Sequence, residues 1–113
     1  MHQHYQELTK NTANYIPLSP LSFLARTADI FGARTAIIYG DRQYSWQQTY
    51  GRCRALASAL NRHGLGLGDT VSIIAANTPE MYEAHFGVPM AGCVLNTINT
   101  RLEAETIAYI LAD

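Results

Sequence analysis

Apolar residues recur along this chain with two different periods, and Gly, Pro and Ser/Thr punctuation separates the blocks. After a polar, aperiodic stretch over residues 1–16, Leu21, Leu24, Ala28 and Phe31 fall at helical spacing. Ser19 is placed to cap that helix, Pro20 takes its first position, and Gly32 is a stop. TAIIY (35–39) is β-branched and apolar, Gly40-Asp41-Arg42 turns the chain, and Gln43-Tyr44-Ser45 brings it back as a hairpin. Ser45 and Gln48 have the capping-box form, and Trp46, Tyr50, Cys53, Leu56, Ala57 and Leu60 make one apolar face. Gln47, Arg52, Arg54 and Arg62 lie off that face, and the helix should end at His63-Gly64.

The second half alternates in the manner of a βαβ unit. Residues 70–75 (TVSIIA) read as a strand covered on both faces, which is the habit of parallel sheets. Thr78 caps a helix with Pro79 at its first position, and Met81, Tyr82 and Phe86 turn inward. Pro89 should kink that helix or end it early near Gly87-Pro89, because its ring clashes with the His85 carbonyl. Cys93-Val94-Leu95 is the next strand, expected parallel to 70–75 with a right-handed crossover. Thr100 and Glu103 repeat the capping-box form before Ile107, Ile110 and Leu111, and no stop signal follows that last helix. The expectation is an α/β chain with a hairpin, a parallel βαβ unit and about four helices. A flexible segment at 1–16 precedes an incomplete α/β portion at 17–113.

Composition narrows the functions open to such a chain. At 113 residues it has room for one modest core, and only 15% of residues are charged, against a usual share of about 25%. The net charge is −1 with both signs scattered, and the eleven aromatics are not interleaved with Lys/Arg clusters, so nucleic acid is not an expected partner. No apolar run approaches the roughly 20 residues that span a bilayer, and the N-terminus lacks a signal peptide's apolar stretch. A cytoplasmic protein is expected, without a membrane partner. Cys53 and Cys93 show no metal or redox spacing and read as reduced, buried thiols. His2 and His4 read as part of a disordered tail, and His85 as a core-edge histidine.

Catalytic signatures are missing from the chain. It holds no GxxxxGK[ST], GxSxG, HExxH or metal-ligand spacing, and Glu80 with Glu83 reads as a solvated helix face. RHGLGLGD (62–69) looks like a phosphate loop but has the wrong order, because a helix enters the glycines and a strand leaves them. A helix C-terminus presents carbonyls and negative potential, which repel phosphate. Gly64 therefore reads as a left-handed helix stop with Leu65 folding back, and Gly68-Asp69 as the turn into the strand.

Taken in order, four segments resemble the N-terminal end of adenylate-forming acyl-CoA synthetases, the AMP-binding acyl-activating enzymes. They are TAIIYGDRQYSWQQTYGRCRALASAL (35–60), HGLGLGDTVSIIAANTPE (63–80), HFGVPMAGCVLNTINTRL (85–102) and ETIAYILAD (105–113). With YIPLSPLSFLARTADIFGART (15–35) the match covers nearly the whole chain, and it resembles the branch acting on short- to medium-chain, methylthioalkanoic or aryl acids. The resemblance implies, for a full-length parent, a reaction of ATP, Mg²⁺ and a small carboxylic acid to an acyl-adenylate, followed by attack of the CoA thiol. It implies a large α/β N-terminal domain and a small mobile C-terminal one.

The family's phosphate loop, adenine segment, ribose-binding aspartate and C-terminal lysine are absent here. No catalytic, cofactor-binding or metal-binding role transfers to any residue, and the segment alone is expected to bind no ATP, Mg²⁺ or CoA and to be inactive. Asn99-Thr100 replaces an Asn-Pro common in the family, which loosens the expected Asn96–Asn99 turn. A free-standing α/β interaction domain remains an alternative, which the missing helix stop and the low charge argue against. A dinucleotide-binding oxidoreductase would need its phosphate loop after a strand. Exposed apolar surface predicts self-association into a homo-oligomer or a swapped element.

Overall fold

A computed structural model describes residues 9–13 and 15–113. Residues 1–8 and 14 lie outside the described residues, so His2, His4 and most of the segment expected to be flexible are not part of this description. The order of elements is α1 (Pro20–Phe31), β1 (Thr35–Tyr39), β2 (Arg42–Ser45), α2 (Trp46–Arg62), β3 (Thr70–Ile74), α3 (Pro79–Met90), β4 (Val94–Ile98) and α4 (Ala104–Ala112). The strands β1 and β2 form an antiparallel hairpin. β3 and β4 pair in parallel from Thr70↔Val94 to Ile74↔Ile98. This is the expected α/β arrangement of hairpin, parallel βαβ unit and four helices.

Local chemistry starts and stops most of these elements. Ser19 Oγ accepts from the Leu21 N–H at 3.2 Å, with Pro20 opening α1. Both bonds of the Ser45–Gln48 capping box form, at 3.1 and 2.8 Å, so two of the orphan N–H groups of α2 are satisfied. At the other end Gly64 has φ 81°, and its N–H donates to Asn61 O at 3.0 Å while Leu65 N–H donates to Leu60 O at 3.1 Å. That pair of bonds is the Schellman stop, and it folds Leu65 back against the core. The same stop recurs after α3: Gly92 (φ 87°) donates to Pro89 O and Cys93 to Val88 O.

The core sits where α2 crosses α3 over one face of the parallel sheet. Ala57, Ala84, Val88, Ala91 and Cys93 form its buried centre, flanked by Leu56, Leu60, Val71 and Ile73. Small residues let the helices approach closely: a Cβ on Gly87 would stand 2.7 Å from Leu56 Cδ2 and 3.0 Å from Cys53 O. Cys53 and Cys93 are both buried free thiols, as expected.

Several expectations need correction. β3 is covered on one face only: Val71 and Ile73 are half-buried, while Thr70, Ser72 and Ile74 are exposed, because the helices pack on one side of the sheet. β4 is longer than expected, so Asn96, Thr97 and Ile98 belong to the strand and the turn begins at Asn99. Pro89 does not end α3, which runs on to Met90. Lying in the last turn, Pro89 removes a single ladder bond, and the Gly92 stop recruits its carbonyl. Thr100 does not cap α4. Asn99 Oδ1 instead accepts from Arg101 N–H at 2.9 Å, and the helix begins after Glu103 with no side-chain cap.

Candidate functional site

In open parallel sheets, ligands sit beyond the carboxyl ends of the strands. Here those ends open on a cleft of about 530 Å³. Asn77 follows β3; Thr97, Asn99 and Arg101 end and follow β4; Met81 and His85 come from the side of α3. The Asn99 cap described above holds the backbone at Arg101. His85 is exposed, and its Nδ1 lies 2.8 Å from the Met81 carbonyl. With Nδ1 protonated it donates there, which leaves Nε2 free towards a ligand. Arg101 supplies the only positive charge on this lining, so the cleft suits an anion.

A second cleft, of about 690 Å³, runs between β1 and α3 and shares Asn77, Met81 and His85 with the first. Its remaining lining is chiefly apolar, from Ile37, Pro79, Tyr82 and Phe86 among others. The α3 side chains of Met81 and His85 thus border a polar cleft on one side and an apolar one on the other. No sequence motif singles them out, because the first cleft exists only once β3 and β4 pair beside α3 and the second only once β1 lies beside α3. His85, expected at the core edge, is instead a surface residue of both clefts.

The Glu80–Glu83 pair also departs from expectation. Glu83 is 6% exposed, and both its oxygens are held by Arg52, through Nε to Oε1 and through Nη2 to Oε2 at 3.2 Å. Glu80 accepts from Arg42 at 2.8 Å and lies 3.8 Å from Arg52. The Arg52 guanidinium also stacks over the Tyr44 ring, 4.5 Å from its centroid. Four alternating charges therefore pin the hairpin and α2 to α3. Hydrogen bonding to Glu83 raises the Arg52 pKa, and hydrogen bonding to Glu80 raises that of Arg42. Glu80 is lowered, first by a backbone hydrogen bond and then by Arg42. These groups brace the α3 wall of the clefts and line neither of them.

The glycine loop is not a phosphate grip. Asp69 Oδ2 accepts from the Gly66 N–H at 2.8 Å, so the chain's own carboxylate occupies the place an anion would take. The glycine loop therefore offers no place to a triphosphate. Among the described residues no group of three His, Cys, Asp or Glu could hold a metal ion. No described helix is long and apolar enough to cross a membrane.

The fold and its strand-end cleft define a class: 82% of the chain superposes on the N-terminal subdomain of NpsA from Klebsiella oxytoca, with a TM-score of 0.76 at 25% identity over 24% of that chain. The chain belongs to the AMP-binding enzyme family, whose pattern matches residues 24–113. It is 58% identical to an acetate–CoA ligase (CCL3) of Humulus lupulus over 93% of its length, and 53% identical to a peroxisomal trans-cinnamate:CoA ligase of Petunia hybrida over 93%. It spans 18% of the length of each of these relatives. The chain accordingly corresponds to a short part of the family's longer members, the part found in that N-terminal subdomain.

Proposed function

We propose that the chain is the N-terminal part of an ATP-dependent acyl-CoA ligase in which residues 17–113 belong to the AMP-binding domain. The carboxylate attacks the α-phosphate of ATP and pyrophosphate leaves; the CoA thiol then attacks the acyl-adenylate carbonyl and AMP leaves. The observation that carries this reading is the cleft at the strand ends in a chain whose relatives are CoA ligases. Within that reaction the segment supplies a wall. Arg101 offers a fixed positive charge to an anionic substrate, and the apolar cleft beside Met81 and His85 offers surface to an acyl group.

Acid, ATP, Mg²⁺ and CoA are the parent's partners in this reading, and the segment by itself forms no acyl-adenylate. Relatives acting on acetate and on trans-cinnamate both match it closely, so acid specificity belongs to the rest of the polypeptide. Fatty-acid metabolism is the proposed setting and self-association the proposed state.

A cytoplasmic location is one reading for the parent, and the petunia relative's peroxisomal designation favours a second. Imaging the tagged full-length protein separates the two. The site assignment is tested by Arg101→Ala in the full-length enzyme. The KM for CoA or ATP should rise about tenfold with kcat little changed, as expected for lost uniform binding. Unchanged KM values for both would remove Arg101 from the site.

A further inference from the structure

The polar and the apolar cleft meet along α3, and three side chains border both: Asn77, Met81 and His85. On the ligase reading proposed above, on which this step rests, the acyl group lies on the apolar side and an anionic partner lies beside Arg101. The bond between the acyl carbon and the CoA sulfur then forms where the clefts join. The thiol must lose its proton as it attacks, because the thiolate is the nucleophile.

Few groups at that junction can take the proton. An Asn amide and a Met thioether are not bases at neutral pH. The charged and titratable groups lining the two clefts with His85 are Arg101 beyond β4, Tyr39 on β1 and Tyr82 on α3, and no carboxylate is among them. Arginine stays protonated, and a phenol keeps its proton at neutral pH. Tyr82 does so all the more, because burial raises its pKa. His85 is different. It is exposed, and the Met81 carbonyl, one helical turn back, lies 2.8 Å from its Nδ1. An imidazole that donates through Nδ1 is held in orientation and keeps a lone pair on Nε2, the arrangement a general base uses.

We propose that His85 Nε2 accepts the proton of the CoA thiol in the thioester-forming step. The S–H bond breaks towards Nε2 and sulfur bonds to the acyl carbonyl carbon. The bond from that carbon to the phosphate oxygen breaks, and AMP leaves with the electron pair. The proton then passes from His85 to water through the strand-end cleft. Adenylation needs no such acceptor, because the attacking carboxylate is already ionised at neutral pH.

The test separates the two half-reactions in the full-length enzyme, using whichever of acetate, butyrate, benzoate and cinnamate the wild type activates. Pyrophosphate release reads the first, and thioester formation from the preformed acyl-adenylate and CoA reads the second. His85→Gln should slow thioester formation about 100-fold, the usual worth of a general base, and adenylation far less. The wild-type thioester rate should fall towards acid pH as the imidazole takes up a proton, and that limb should be missing in His85→Gln. Free imidazole should restore part of the thioester rate to His85→Ala. Equal slowing of both half-reactions, or a thioester rate and acid limb unchanged in His85→Gln, would overturn the proton transfer and leave the ligase reading standing. A wild type that activates none of the acids would overturn both.

Discussion

Gly64 and Gly92 end α2 and α3 with left-handed backbone, and each has open or ordinary space where a Cβ would go. Alanine at Gly64 should therefore cost about 1–2 kcal/mol from the backbone alone, seen as a lower urea midpoint at unchanged m-value. Gly87 is different. Alanine there should cost about 1–3 kcal/mol by overpacking against Leu56 and the Cys53 carbonyl.

Cys53 adds a pH dependence. Burial, then the charge of Glu83, pushes its thiol up from an ordinary 9.0 to about 11. The unfolded chain ionises first, so this stabilisation is complete below pH 9.0 and is lost as pH rises towards 11. Denaturant midpoints should be flat to pH 8.5 and then fall by pH 10.5; in Cys53→Ala that fall should be smaller.

Gly64 was legible in the sequence because a helix stop is a local event. The burial of Glu83 was not: an i,i+3 acid pair looks the same whether it faces water or an arginine 31 positions away.

α2 and α3 bury residues on each other, while α4 buries none. Amide exchange should follow that contrast: protons of Ala104–Ala112 should exchange orders of magnitude faster than those in the centre of α2, since fewer buried contacts oppose local opening. Protection in α4 equal to that in α2 at low protein concentration would contradict the packing described. The element starts were readable wherever a Ser or Thr and a Pro or Gln met at fixed spacing, as at Ser19, Ser45 and Thr78. At Thr100 the chain instead turns, with Asn99 Oδ1 accepting from the Arg101 N–H in an Asx-turn and the helix starting only at Ala104. The true length of β4 was hidden since Asn96 is a poor strand former by itself and reads as the start of a turn. Parallel pairing with Ser72 and Ile73, including an Asn96–Ser72 hydrogen bond at 3.1 Å, extends the strand.

At the scale of the whole molecule, the order of helix, hairpin, helix, strand, helix, strand and helix was readable from the sequence and is the fold observed. The site was much less so, because Asn77, His85 and Arg101 approach one another only through the β3–β4 pairing and the seat of α3. The exposed outer face of β3 and the unpartnered α4 fit a segment spanning about a fifth of its relatives' length. In the function proposed above, this chain helps build an acyl-CoA ligase without performing its chemistry. The most direct test is carboxylate-dependent pyrophosphate release and CoA thioester formation, assayed with acetate, butyrate, benzoate and cinnamate, for the full-length protein and for residues 1–113 alone. The full-length protein should turn over at least one acid while the 113-residue chain stays at the blank. Turnover by the short chain, or none by the full-length protein with any acid, would contradict the account.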